Sequence, residues 1–196
     1  MNKPILIAAL LALPAISHAE LSFIPMLGLA DIASDDDDVD YDAGVNIGLS
    51  FGGRIAPIFS LHGQLHVHPL SFDESPGVDQ SGALAVFQIA PMFHLVDDGD
   101  IELLLGPVLG GFALTASAEA GNESAGLSLT GGLFGAQASL FFSLTPSLSL
   151  GPMVQYALMY VTEACLEING FERCDDVDDD EGTSLLLASA ALKIDF

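Results

Sequence analysis

The stretch Ala43–Gly53, Ala-Gly-Val-Asn-Ile-Gly-Leu-Ser-Phe-Gly-Gly, decides the architecture. Val45, Ile47, Leu49 and Phe51 fall on one side of an extended chain; Gly44, Asn46, Gly48, Ser50 and Gly52 fall on the other. This two-residue period marks a β-strand, because successive side chains leave opposite faces. The next stretch repeats it, with Phe59, Leu61, Leu65 and Val67 opposed by Ser60, His62, Gln64, His66 and His68. In a soluble sandwich the apolar face would meet a second apolar layer. Here the other face is small and polar and suits a crowded enclosed axis, which is the pattern of a membrane-spanning barrel.

The alternation extends in both directions from that pair. It marks Leu21–Ala30, Ala83–Val96, Ile101–Thr115, Leu127–Leu144, Ser147–Val161 and Thr183–Phe196, which brings the expected strands to eight. Ile101–Thr115 is ambiguous, since both of its faces are apolar above Glu102. The connections alternate as well. Gly52–Pro57, Asp97–Asp100 and Thr145–Ser147 are short, whereas 31–42, 71–82, 117–126 and 162–182 are long, polar and mostly acidic. Short turns at one rim and long extracellular loops at the other match outer-membrane barrels, with both chain ends periplasmic. Every backbone polar group in lipid must be paired, so the sheet must close. The expected fold is all-β, an antiparallel up-and-down transmembrane barrel over residues 20–196.

The first residues set the compartment. Lys3, the apolar run Pro4–Ile16 and the small residues of Ser17-His18-Ala19 form a secretory signal peptide over 1–19. The chain has 27 acidic against 4 basic residues, a net charge of −23, yet is 51% hydrophobic. Charge and hydrophobicity are therefore segregated along it. A disordered acidic chain would lack the apolar stretches. An inner-membrane protein would carry uninterrupted apolar runs of roughly 20 residues. Nucleic acid is excluded as a partner, since binding it calls for clustered Lys and Arg.

The Ser17-His18-Ala19 site, the eight alternating segments and the terminal Leu192-Ile194-Phe196 pattern together resemble the small outer-membrane β-barrel superfamily, of the OmpA-barrel type. The resemblance covers nearly the whole mature chain and is one of architecture. It implies a monomer in the outer membrane of a Gram-negative bacterium, in contact with lipid and lipopolysaccharide. It also implies that the last strand, ending on Phe196, is the signal read by the barrel assembly machinery. It brings no catalytic residues with it. One departure is the scarcity of Tyr (3) and Trp (0), which thins the usual aromatic girdles and leaves Phe (12) to substitute in part.

Three groups of residues carry candidate chemistry. His62, Gln64, His66 and His68 share an inward face, and Gln88 and His94 face inward on the next strand. Antiparallel pairing around 71–82 places Gln88 near His66 and His94 near Ser60. These six residues fit a hydrogen-bonded lumen cluster, a transition-metal site on His66 and His68, or a pH-responsive plug. The aspartates Asp35, Asp36, Asp37 and Asp38, with Asp178, Asp179 and Asp180, fit either solvated loops or oxygen ligands for Ca2+ or Mg2+. Cys165 and Cys174 are the only cysteines, and in an exported chain they form a disulfide or stay as two thiols. Glu102, Lys193 and Arg54 are expected to pair at the periplasmic end of the lumen.

No nucleophile, base and orienting group fall within mutual reach, so no enzymatic activity is expected. Eight strands leave an interior that side chains can fill or that holds one small ligand. The expected function is a structural or surface-interaction role. The alternative is a narrow channel or carrier for a small apolar ligand, suggested by inward Leu104, Val108, Met92 and Met153.

Overall fold

The computed structural model describes residues 20–33, 40–70, 78–121, 123–177 and 183–196. Its strands are β1 (Glu20–Ala33), β2 (Asp40–Ala56), β3 (Phe59–Leu70), β4 (Asp79–Asp97), β5 (Ile101–Ala120), β6 (Glu123–Thr145), β7 (Leu148–Ile168), β8 (Phe171–Asp176) and β9 (Thr183–Asp195). Each pairs antiparallel with its neighbours, and β9 pairs with both β1 and β7. Eight strands therefore close a ring, and β8 stands outside it as the partner of the upper part of β7. Closure leaves no lipid-facing edge with unpaired backbone groups. The predicted signal peptide lies outside the described residues.

The period-2 reading holds around the wall. Val45, Ile47, Leu49 and Phe51 are exposed on the outer face, while Asn46 and Ser50 are buried inside. Proline interrupts the ladder in three strand pairs: at Pro25 between β1 and β9, at Pro152 between β6 and β7, and between β4 and β5. The β4–β5 register runs to Ile89↔Leu109 and resumes at Phe93↔Leu105. Pro91 and Pro107 face each other in that gap, and neither has an N–H to donate.

Two expected loops are largely strand. Segment 117–126 is paired up to Ala120↔Glu123. Segment 162–182 contains β8, paired to β7 through Cys165↔Cys174 and Ile168↔Phe171. The turn between them is Asn169-Gly170, both at positive φ (50° and 82°), the conformation that a two-residue hairpin needs. An Asn-Gly pair between alternating residues is the strongest short-range hairpin signal, so β8 was visible in the sequence. Ser117, Glu119, Ser124, Glu163 and Glu167 of these segments fall on one face of the paired strands.

The register of the β3–β4 hairpin also differs from expectation. Gln88 lies opposite Gln64, and Ser60 lies opposite Met92. This is a slip of two residues, which keeps every side chain on its face. His94 therefore lies beyond the start of β3, where its backbone N–H donates to the Ile58 carbonyl at 3.0 Å.

Candidate functional site: a filled lumen beneath an open sheet

The lumen has three levels, starting at the rim that carries the chain ends. At that rim Glu102 accepts hydrogen bonds from Lys193 Nζ at 2.6 Å and Arg54 Nη2 at 2.8 Å. Arg54 Nη1 also donates to Asp97 at 2.7 Å, and Lys193 lies 3.4 Å from Asp195. His94 Nδ1 sits 2.8 Å from Glu102 and 2.7 Å from Arg54, so its tautomer decides which of the two it bonds. The expected pairing of Glu102 with Lys193 and Arg54 is what the geometry shows. The expected place of His94 beside Ser60 is not, because the register slip carries it to this rim. His94, Asp97 and Glu102 bring ligand atoms together, but Arg54 and Lys193 already hold the two carboxylates. The cluster is a set of charge-assisted hydrogen bonds.

Above the rim is a level of amides and imidazoles. Gln88 Nε2 donates to Gln64 Oε1 and to Gln155 Oε1, both at 2.6 Å, and Gln155 Nε2 donates back to Gln88 Oε1 at 2.9 Å. Asn46 Nδ2 donates to Ser189 Oγ at 3.0 Å. His62 Nε2 lies 3.1 Å from Ser60 Oγ. His66 lies 3.4 Å from both Gln88 and Asn46. All of these polar residues are buried, and the partners they share bridge opposite walls of the ring. His68 stands apart, buried and with no side-chain hydrogen-bond partner among the described residues. Among the described residues no cluster of three metal-ligating side chains includes His62, His66 or His68.

The third level is apolar. Leu84, Val86, Phe112, Leu133, Leu185 and Leu187 fill the lumen on the side away from the chain ends. Lower down, Leu104, Val108, Met92 and Met153 are also buried among their neighbours. Two cavities inside the ring hold about 10 Å³ each, at or below what one water molecule needs. Glycines permit this tight fit. A Cβ on Gly135 would stand 2.5 Å from Ala157 Cα across the strand pair, closer than any real Cβ contact.

Beyond the ring, β4 to β7 continue past the level where β1, β2, β3 and β9 end, and β8 joins them. The result is an open five-stranded sheet on one side of the mouth that faces away from the chain ends. Its polarity is the reverse of that in the membrane. On β5 the outward series Leu105, Leu109 and Ala113 becomes Thr115, Ser117 and Glu119; on β6 Phe142 and Phe134 give way to Thr130, Ser128 and Ser124. The inward series passes from Gln137 and Ser139 to Leu129, Leu127 and Ala125.

A bulge makes the same inversion on β7. Gly131 pairs with Val161 but Thr130 pairs with Glu163, so Thr162 is the extra residue. Thr162 Oγ1 donates to the Thr130 carbonyl at 3.2 Å. The extra residue turns Glu163 and Glu167 outward and Leu166 and Ile168 inward. On that outer face, Thr130 Oγ1 reaches Glu163 at 3.5 Å and the Cys165–Cys174 disulfide joins β7 to β8. Asp35, Asp36, Asp37, Asp38, Asp178, Asp179 and Asp180 lie outside the described residues.

No protein-family model matches the chain, and no curated protein matches it in sequence. Solved structures do match. The crystal structure of Neisserial surface protein A superposes with a TM-score of 0.64 at 14% identity, covering 90% of this chain and 97% of that one. A major outer membrane protein from Thermus thermophilus gives a TM-score of 0.66 at 12% identity, over 91% of this chain and 100% of that one. The fold is that of the small outer-membrane β-barrels. Ail, the attachment invasion locus protein of Yersinia pestis, shares it with a TM-score of 0.62 at 16% identity, over 90% of this chain and 99% of that one, in a complex with the heparin analogue sucrose octasulfate. At these identities the likeness is one of architecture. In an outer-membrane barrel the belt of Leu49, Phe51, Leu65, Phe87 and Leu109 faces lipid, and the chain ends lie on the periplasmic side.

Proposed function

We propose that this outer-membrane barrel is a closed, monomeric support for an extracellular recognition surface, and that the sheet formed by the upper parts of β4 to β8 is that surface. The observation that carries this reading is the filled lumen. Ion pairs close the periplasmic rim, the Gln64–Gln88–Gln155 bridge spans the middle and apolar side chains seal the top. A conduit needs a continuous path, and cavities of about 10 Å³ do not supply one. Side chains instead pack the interior, as an eight-stranded ring allows. In this reading Phe196, which is 78% exposed and donates its backbone N–H to the Leu21 carbonyl, serves assembly at the periplasmic end.

The test is electrical. Purified barrel reconstituted in planar bilayers is expected to give no single-channel steps at either polarity. Reproducible steps that depend on protein concentration would overturn the closed-lumen reading and favour the narrow channel.

A further inference from the structure

We infer that the outer wall holds one phospholipid in a fixed place, with an acyl chain in a notch between Phe87 and Tyr160 and an ammonium headgroup against Glu163. The inference goes beyond the recognition reading and holds whether or not the lumen conducts.

Register sets Leu65, Phe87, Gly111, Gly132 and Tyr160 side by side across β3 to β7. Directly opposed residues share a face, and the exposed Leu65 and Phe87 make it the outer one. Two glycines therefore stand between aromatic walls. Leu109 and Phe134 close the notch on the side of the chain ends; Ala113 and Thr130 leave it open on the other. The hollow over Ala85, Gly111, Ala113 and Thr130 measures about 420 Å³. The backbone does not require glycine at 132. Its φ is not positive, and a Cβ there would meet only the Gly110 carbonyl oxygen, at 3.9 Å. Glycine inside a strand weakens it, and often marks a place where another group comes close.

The position of the notch decides what fills it. Leu65, Phe87 and Leu109 belong to the lipid-facing belt, so the notch is continuous with the interface between barrel and bilayer. Lipid chains are as apolar as this wall, so an acyl chain gains no hydrophobic transfer by entering. It gains contact, because the lining of an unfilled hollow has no partner atoms on one side.

Charge decides the headgroup. Just beyond the notch the same outer face becomes acidic. Thr130 lies opposite Glu163, and its Oγ1 reaches that carboxylate at 3.5 Å. Glu167, Glu172 and Asp176 share the face with Glu163. Among the described residues none of these four carboxylates is paired with a cation. Arg173 lies opposite Leu166 on the other face, held by Asp175 at 3.2 Å. An anionic headgroup is repelled at this place, whereas a primary ammonium is attracted and can donate hydrogen bonds to Glu163.

The experiment uses the absence of tryptophan from the chain, which lets one introduced residue report locally. Phe87→Trp places the reporter on the notch wall, and Phe51→Trp places a control elsewhere on the belt. Each full barrel is reconstituted in phosphatidylcholine bilayers containing brominated phosphatidylethanolamine or brominated phosphatidylglycerol, whose chains quench tryptophan on contact. At the Phe87→Trp reporter the ethanolamine lipid is expected to associate about fivefold more strongly than the glycerol lipid. At the Phe51→Trp control the two are expected to be equal. Gly132→Leu, or Ala113→Leu from the neighbouring row, fills the notch and should remove the difference. Glu163→Gln with Glu167→Gln should also remove it, while quenching by brominated phosphatidylcholine at the Phe87→Trp reporter stays unchanged.

Equal association of the two lipids at the notch, a preference for the glycerol lipid, or the same ratio at both reporters overturns the inference. So does a preference that survives both notch-filling variants. Concentration-dependent dimers that shield the Phe87→Trp reporter from every brominated lipid would put a second copy of the chain in the notch instead.

Discussion

The lower and upper parts of β4–β7 are the same strands in two solvents, and they solve the burial problem in opposite ways. Within the ring Leu49, Phe87 and Leu109 are exposed, and Asn46, Gln88 and Gln155 are buried. Above Thr130 and Thr162, Glu119, Glu163 and Glu167 point outward, and Leu127, Leu166 and Ile168 point toward the axis. Lipid accepts apolar side chains and offers no hydrogen bonds, so polar groups go inside and must satisfy one another. Water accepts the polar face, and an antiparallel sheet can then be apolar on its other side. Two of the five strands in the sheet show how cheaply the change is made. β5 changes residue types with no break in its alternation, whereas β7 uses one inserted residue. In the proposed reading the level of the change, at Ala113–Thr115 and Tyr160–Thr162, is the boundary of the bilayer on the side away from the chain ends. The stacked Phe134 and Tyr160 rings, 5.6 Å apart, lie just below it, where an aromatic girdle belongs.

If the ring depends on internal satisfaction and the sheet does not, equivalent charge deletions should differ most. Glu102→Ala removes the acceptor shared by Lys193 and Arg54 and leaves two cations in a closed rim. The expected loss is about 3 kcal/mol, the low end for breaking a buried pair, because Asp97 and Asp195 retain one cation each. Asp175→Ala breaks the Arg173 pair, whose side chains are 82% and 68% exposed, and should cost under about 0.5 kcal/mol. Urea titration of folded barrels in phospholipid vesicles reads both. Equal losses would mean that the two regions are not electrostatically distinct.

The outer faces give the next contrast. Leu49 sits in mid-wall between Pro25 and Leu65, and an arginine there should cost about 2–4 kcal/mol in a bilayer. Ser128, on the outer face of β6 above Thr130, should accept an arginine at nearly no cost, since that face is in water. The same vesicle titration checks the pair. A costly Ser128→Arg would raise the membrane boundary to the tip of the sheet and undo the polarity argument.

This contrast also explains what could be read from the sequence. The faces of β2, β3 and β7 were legible because lipid and lumen impose opposite chemistry at every second residue. The exact register of β3 against β4 was not, because a slip of two residues leaves Gln64, His66 and Gln88 on the same face and only changes which of them meet. β5 was ambiguous for a physical reason: Leu104, Val108, Phe112 and Leu114 fill the lumen, so its inner face is as apolar as its outer one. The segments 117–126 and 162–182 resemble loops because acidic and small residues dominate their composition. Read by parity, Leu127, Leu166 and Ile168 already stand apart from Ser128, Glu163 and Glu167. The ion pairs at Glu102 were foreseen because three isolated charges in an apolar chain have few partners available.

Thr162 gives the smallest expected effect and the most direct test. Deleting it removes the extra residue between Val161 and Glu163, so that β6 and β7 pair without a shift. Directly opposed residues share a face, so Glu163 stays outward with Thr130, Leu166 stays inward with Leu127, and Cys165 remains opposite Cys174. What is lost is the local twist of the bulge and the Thr162 Oγ1 bond to the Thr130 carbonyl, at an expected local cost of about 1 kcal/mol. The ring below keeps every pair it had, so its unfolding midpoint should not change. Hydrogen exchange across 163–176 should quicken by about fivefold at most, with β1–β3 and the lower part of β7 unaffected. If the ring strands lose protection as well, the sheet and the barrel form one cooperative unit. If exchange across 163–176 quickens by about a hundredfold instead, the hairpin depends on the twist that the bulge supplies and not only on the faces it aligns.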